Sequence, residues 1–312
     1  MKKTSDFANV GRVGVLLGGT SAERMISLES GQAIAVTLKN LGIDVAEIDV
    51  QENVVEQLAA SNIDMAFIAL HGGIGEDGRI QALLNLLGIP YTGSDTQASA
   101  LAMNKLFSKQ LWQGMGIPTS PFRILQRDSD FKEVLDSLGG SVIVKPVHEG
   151  SSIGMAIAHD EQQLQEAYHN ALQYDAAVFA EKLLTGNEYT VGILNGQVLP
   201  TIKLETENSF YDYGAKYIDN ETRYICPCGL SKSQQQQLDD LALQVFASLQ
   251  CQDWGRVDIM KDEAGAFQVL EVNTIPGMTK HSLIPMAAKA INLSFDDLVG
   301  EVLQAAVERY AT

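Results

Sequence analysis

Long apolar runs are missing from this 312-residue chain. Stretches such as VGVLL at 13–17 fall far short of the roughly 20 apolar residues that cross a bilayer, so a membrane-embedded function is excluded. The opening MKKTSDFANV has two lysines but no apolar segment behind them, and it does not read as a secretory signal. Cysteine is scarce: Cys226, Cys228 and Cys251 are an odd, sparse set, which excludes a disulfide framework and fits free thiols in a reducing cytoplasm. Cys226-Pro-Cys228 lacks the two-residue spacer of common zinc or redox pairs and has no histidine close in sequence. Positive charge is also short, with 22 Lys and Arg against 39 Asp and Glu and a net charge of −17. That balance disfavours nucleic acid or an anionic membrane as the main partner. An anionic substrate would need a locally basic site. Repeats and low-complexity stretches are absent, as are the G-x-G-x-x-G dinucleotide fingerprint and the Walker A spacing.

What is present is ample material for cores, with 46% hydrophobic residues. The length suits two domains, or three small ones. Residues 12–17 (RVGVLL), 43–50 and 64–70 read as strands, with helix patterns at 26–41, 51–60 and 79–87 between and after them. That β-α-β-α-β order predicts a parallel sheet with ligand loops at the strand carboxyl ends. A short strand, IPYTG, closes this unit, and 98–113 reads as one helix. From 121 onward the pattern is mixed α+β. Strands are expected at 141–146, 154–158 and 176–184, with a helix at 160–173. A hairpin turns at Asn195-Gly196, a polar loop spans 205–222, and a helix covers 231–250.

Five segments carry candidate chemistry. GGTSAER, after the first strand, is either a glycine-rich anion loop or a tight turn with Thr20 or Ser21 capping the next helix. Glu23 there suits a first helical turn. HGGIGEDG (71–78) sets His71 and its glycines at a strand end, and is too rich in glycine for a plain turn. VIVKPVHEGSSIG (142–154) projects Lys145 from a strand before a Gly/Ser loop whose N–H groups can wrap a triphosphate. The alternative is an exposed loop with an incidental lysine. In AEKLLTGNE, Glu181 and Glu188 flank a short turn and could hold ribose or adenine.

The fifth segment, GRVDIMKDEAGAFQVLEVNT (255–274), is a hairpin interrupted by charge. Alternation puts Arg256 and Asp258 on one face of the first strand, and Glu271 and Asn273 on one face of the second. With a loop at 263–266, Asp258 lies opposite Glu271 and Arg256 opposite Asn273. Facing carboxylates repel, so something positive belongs between them. Asp258, Glu271 and Asn273 form an oxygen-rich set suited to Mg2+. Arg256 and the backbone N–H of Gly277 suit a developing oxyanion. A salt-bridge network is the bland alternative, and it leaves Asn273 unexplained.

With LLGGTSAER, ALHGGIGEDG, VIVKPVHEGSSIG, FYDYGAKY, GRVDIM and LEVNTIPGMTKHSL assembled, the chain resembles the D-alanine–D-alanine ligases of the ATP-grasp superfamily over nearly its whole length. The resemblance implies an ATP-grasp fold, with a parallel α/β domain at 1–104 and mixed α+β domains at 105–188 and 189–312 holding ATP between them. It implies that Lys105 and Lys145 meet the ATP phosphates under the loop 149–154, including Glu149, Ser151 and Ser152. Glu181, Lys182, Leu184 and Glu188 would hold adenine and ribose. Asp258, Glu271 and Asn273 would bind two Mg2+, with Mn2+ as a substitute. Glu23 would bind the ammonium of the first D-alanine near His71, with Arg256 and Gly277 at the reacting carboxyl. Ser282 and Leu283 would receive the second substrate's carboxylate. Lys216 and Tyr217 would sit on a closing lid, with Tyr217 bonded towards Ser151 and Glu23.

The implied reaction forms an acyl phosphate from ATP and one D-alanine, which the amine of a second D-alanine then attacks. A peptidoglycan precursor, a cytoplasmic location and a homodimer follow from the family. Departures from its pattern are Met25, Leu183, Gly214 and Lys280, none at a residue with an assigned chemical role. Tyr217 argues against a D-lactate-incorporating relative, which typically carries Phe. A dehydrogenase lacks its fingerprint, and a non-catalytic nucleotide-binding module would be expected to have lost the metal and loop residues.

Overall fold

The computed structural model describes Phe7, residues 10–205 and residues 222–311. The first strand, β1 (Arg12–Gly18), pairs in parallel with β2 (Asp44–Val50) on one side and β3 (Met65–Ile68) on the other. Helix α1 (Arg24–Asn40) makes the crossover and packs its Ile34, Ala35 and Leu38 onto the sheet. The apolar β1 and β3 leave strand-end loops 19–23 and 69–78 on the same edge, as parallel order requires. The expected strand at IPYTG is one bridge, Ala66 to Tyr91.

The expected single helix at 98–113 is two: α4 (Thr96–Met103), following α2 (Val54–Ala60) and α3 (Arg79–Leu87), then α5 (Lys105–Gly114). Asn104 breaks them. At φ −85°, ψ 89° it leaves helical geometry, and its side chain accepts from the Phe107 N–H 2.9 Å away to cap α5. A short polar side chain that binds backbone groups favours such a cap over a helix interior. The break makes Lys105 the first residue of a new helix.

A second, antiparallel sheet has the order β4 (Phe122–Leu125), β7 (Val178–Lys182), β5 (Val142–Pro146), β6 (Ala156–Ala158), covered by α6 (Phe131–Leu138) and α7 (Glu161–Ala171). The third sheet runs β11 (Arg223–Ile225), β10 (Ile202–Glu205), β8 (Glu188–Leu194), β12 (Trp254–Lys261), β13 (Phe267–Asn273), with the stub β9 (Gln197–Val198) on β8. Asn195 (φ 51°) and Gly196 (φ 73°) make the expected tight turn. Helix α8 (Lys232–Ser248) packs on this sheet, and Trp112 of α5 is buried in the same core. The last helices, α9 (Leu283–Ala290) and α10 (Phe295–Tyr310), share the core of the first sheet. Among the described residues, no helix is long and apolar enough to cross a membrane.

The β12–β13 hairpin keeps the expected pairs, Arg256 with Asn273 and Asp258 with Glu271, but reaches them by another route. The loop is one residue longer, because Asp262 folds it by accepting the Ala264 and Ala266 N–H groups at 3.0 and 2.8 Å. Lys261 then pairs with Phe267, and a bulge at Leu270 restores the register at the carboxylates.

Candidate active site

Two pockets meet along one edge. The first is lined by Glu23, His71, Glu76, Arg256, Asn273, Gly277, Ser282 and Leu283. The second lies between the second and third sheets, lined by Lys145, Glu149, Ser152, Glu181, Lys182, Leu184, Glu188 and Asp258. Lys105, Gly150, Ser151 and Glu271 line both. Every described residue expected at the site therefore borders one cavity or the other. Lys216 and Tyr217 lie outside the described residues.

The first pocket gathers the ends of separate elements. Glu23, nearly buried, stands at the start of α1, and its carboxylate accepts the Ser151 hydroxyl from across the chain. Gly72 and Gly150 make room for it. A Cβ on Gly72 would lie 2.6 Å from Glu23 Oε2, and one on Gly150 2.9 Å away, both too close. Gly72 also holds φ 63°, which a side chain disfavours. The glycine-rich 71–78 loop is thus open so that its backbone can press against a carboxylate. His71 is buried, with Nε2 3.1 Å from Ser30 Oγ and Nδ1 3.8 Å from Glu76. Burial pushes the Glu76 carboxyl above the usual glutamate range and nearby Glu23 adds to this, although His71 opposes it. On the far wall, Ser282 Oγ accepts the Thr279 N–H at 2.9 Å and sits 2.7 Å from where a Cβ on Gly277 would fall. Leu283 opens α9, so the first amides of that helix face this pocket with their positive dipole end.

The second pocket is lined largely by strands. Lys145 of β5 and Glu181 of β7 form an ion pair in the interior. Burial alone would lower the Lys145 pKa, but Glu181 outweighs it and holds the pKa above the ordinary value. The loop after β5 carries Ser151 at φ 50° and Ser152 at φ 60°, a left-handed pair that costs energy outside glycine. Lys105 pins this loop by donating to Glu149 O at 2.7 Å, while its ammonium lies 3.3 Å from Glu271. At the cleft mouth, Lys182 bonds Glu263 on the hairpin tip at 2.8 Å.

The facing carboxylates each hold a cation of the chain. Arg256 Nε and Nη2 donate to Asp258 at 2.9 and 2.8 Å, Thr190 donates to the same carboxylate at 2.6 Å, and Lys105 neighbours Glu271. Asn273 Oδ1 accepts the Ile275 N–H at 3.1 Å. Two carboxylates and an amide oxygen on one hairpin are donors that a hard divalent cation accepts. No group of three or more His, Cys, Asp or Glu among the described residues is arranged as a metal site.

Sequence reasoning missed Lys109, which is buried beside Glu181 at 2.7 Å. The available signal was its spacing of four from Lys105, which puts both lysines on one face of α5. It also missed Ser30, the hydroxyl that bonds His71; nothing in its local sequence marks it.

Comparison with known proteins shows the family. Residues 111–304 match the D-ala D-ala ligase C-terminus and residues 49–94 the D-ala D-ala ligase N-terminus. The chain is 52% identical to a D-alanine–D-alanine ligase of Saccharophagus degradans, covering 97% of this chain and 96% of that one. It is 50% identical to one of Pseudomonas putida, covering 98% and 96%. Among solved structures, the ATP complex of the Bacillus anthracis D-alanine–D-alanine ligase superposes with a TM-score of 0.86 at 33% identity, covering 97% and 99%. The VanG D-Ala:D-Ser ligase of Enterococcus faecalis does so at 0.81 and 26%, covering 95% and 99%. With family profiles matched on both halves and relatives about half identical along nearly its full length, this chain belongs to the D-alanine–D-alanine ligase family.

Proposed function

We propose that the edge shared by the two pockets is where a D-alanine carboxylate meets the γ-phosphate of ATP. The enzyme is an ATP-dependent ligase that joins two D-alanines. The observation that carries the placement is that Lys105, Gly150, Ser151 and Glu271 line both cavities at once. A phosphoryl group leaving one pocket for a nucleophile in the other must pass them.

In this reading Lys105 and Lys145 hold the phosphates, with the backbone of 149–154 around them. Glu181, Lys182, Leu184 and Glu188 hold adenine and ribose. Asp258, Glu271 and Asn273 would hold two Mg2+, for which Mn2+ could substitute, and the ions would supply positive charge to neutralise the phosphates. Glu23 binds the first D-alanine's ammonium, next to His71. A carboxylate oxygen of that D-alanine attacks the γ-phosphorus, the bond to the β-phosphate oxygen breaks, and ADP leaves with the electron pair. Arg256 and the Gly277 N–H stabilise charge on the acyl oxygen. The second D-alanine, with its carboxylate at Ser282 and Leu283, loses an ammonium proton to solvent. Its nitrogen then attacks the acyl carbon, the C–O bond breaks with its electron pair on the departing phosphate, and the new amide nitrogen gives its extra proton to that phosphate. Lys216 and Tyr217 remain assigned to a lid by family resemblance alone.

We further propose domains at 1–104, 105–188 and 189–312, a homodimer, a cytoplasmic location and a role in peptidoglycan precursor synthesis. The deciding assay is phosphate release with ATP, Mg2+ and D-alanine, with product analysis against L-alanine, D-serine and D-lactate. Release coupled to the D-alanyl dipeptide is expected. A product made preferentially with D-lactate or D-serine would overturn the substrate assignment.

A further inference from the structure

Lys109 is 1% exposed, one of the largest fully buried side chains, and has no place in the mechanism above. It reaches inward from α5 beneath the second pocket. Its ammonium lies 2.7 Å from Glu181 Oε2 and donates to Thr119 Oγ1 at 2.6 Å. Thr119 in turn donates to Val269 O on β13 at 2.9 Å. One buried lysine thus touches the second sheet through Glu181 and the third through Thr119, at the junction of the two walls of the cleft. Phe122 lies below it, with the ammonium 5.7 Å from the ring centre.

The charge arithmetic of this cluster is informative. The Glu181 carboxylate is shared by two ammonium groups, Lys109 on Oε2 and Lys145 on Oε1. One negative and two positive charges leave a net charge of +1. Lys109 faces the interior, whereas Lys145 lines the cavity. Burial would raise the Glu181 pKa, yet the two lysines outweigh it and hold the carboxyl below its usual range, so the carboxylate stays charged. Without Lys109, Glu181 and Lys145 would be a self-neutralised pair in a pocket where Glu149, Glu188, Glu205, Asp258 and Glu271 already outnumber Lys105 and Lys182. Coulomb terms in such a poorly solvated place are larger than at a surface.

We propose that Lys109 is a positioning residue for the nucleotide: it neutralises Glu181 from behind, leaving the charge of Lys145 for the triphosphate. The proposal rests on the reading that ATP occupies the second pocket. It makes a demand that a packing role does not. Loss of Lys109 must harm binding in proportion to phosphate charge and spare the adenosine half, although both halves use the same wall.

The test compares dissociation constants of a non-hydrolysable ATP analogue and of adenosine, by calorimetry or by competition against ATP, in the full-length enzyme. Lys109→Met should weaken the triphosphate by about 10-fold or more and adenosine by less than about twofold. Equal losses would assign Lys109 to packing alone, and no loss would remove it from binding altogether; either overturns the proposal. Should Lys109→Met not fold, Lys109→Gln keeps a polar side chain of similar length beside Thr119 but removes the charge. Its triphosphate-to-adenosine ratio should also fall about 10-fold; an unchanged ratio overturns the proposal. Lys145→Ala separates the two readings. If it leaves the ratio unchanged, the nucleotide placement is wrong and the proposal falls with it. If it lowers the ratio while Lys109→Met does not, only the role of Lys109 is overturned.

Discussion

The pocket between the second and third sheets draws its charged groups mainly from strands. Lys145, Glu181 and Asp258 project from β5, β7 and β12, and each side chain is fixed by its place in a hydrogen-bonded ladder. The pocket of Glu23 and His71 is walled by the ends of elements instead. Glu23 starts a helix, His71 lies in the loop after β3, and Gly277 and Ser282 frame the entry to α9. The first construction grips a ligand between two stiff surfaces. The second can shape itself around a small zwitterion, but it depends on backbones approaching closely, as Gly72 and Gly150 do at Glu23. A strand wall tolerates change at its rim, whereas a pocket of element ends is sensitive to single atoms.

Three substitutions probe that contrast. Arg256 lines the first pocket and bonds Asp258, which lines the second, and Arg256→Ala should lower kcat by about 10²–10³-fold if it stabilises the acyl oxygen. Steady-state kinetics decide this, because an effect confined to KM would mean that the side chain binds ground and transition states alike. Gly72→Ala attacks the element-end pocket alone. It places a methyl 2.6 Å from the Glu23 carboxylate at a left-handed φ, which should cost about 1–3 kcal/mol of stability and raise KM for D-alanine about 10-fold. KM for ATP should hardly move, and parallel rises in both values would erase the distinction between the pockets.

The smallest effect concerns Glu76, whose carboxyl burial raises above the ordinary 4.5. The folded state then holds this proton more tightly than the unfolded chain. The stability it contributes is complete below 4.5 and is lost as pH rises through the raised value. Glu76→Gln mimics the protonated form. Its Tm should approach that of wild type towards acid pH and exceed it increasingly as pH rises to neutral and beyond. A Tm difference that is constant with pH would show that ionisation at Glu76 does not load the fold.

Much of the nucleotide wall was legible in one dimension. Alternation in GRVDIM assigns Arg256 and Asp258 to one face, the strand VIVKP carries Lys145, and β geometry converts faces directly into neighbours. The hairpin pairs 256–273 and 258–271 were legible too, although the loop was misplaced by one residue and a bulge at Leu270 compensated. Asn104, which divides the expected helix at 98–113, carried a local signal that the surrounding apolar pattern outweighed. The partnership of Ser151 with Glu23, 128 residues apart, had no local signal, and neither did that of Ser30 with Met278, separated by 248.

The sequence by itself determined the parallel order of the first sheet, the chemistry available at each loop and, through motif resemblance, the family. Periodicity and turn residues act over a few positions, and they encode those things locally. Only the tertiary structure decided that Lys105 belongs to both pockets, that Arg256 and Lys105 attend the two facing carboxylates, and that Lys109 lies buried behind Glu181. Those outcomes depend on which charges share a poorly solvated space, and that is set by packing between distant segments, since pairwise electrostatics there depends on distance and burial and not on order along the chain.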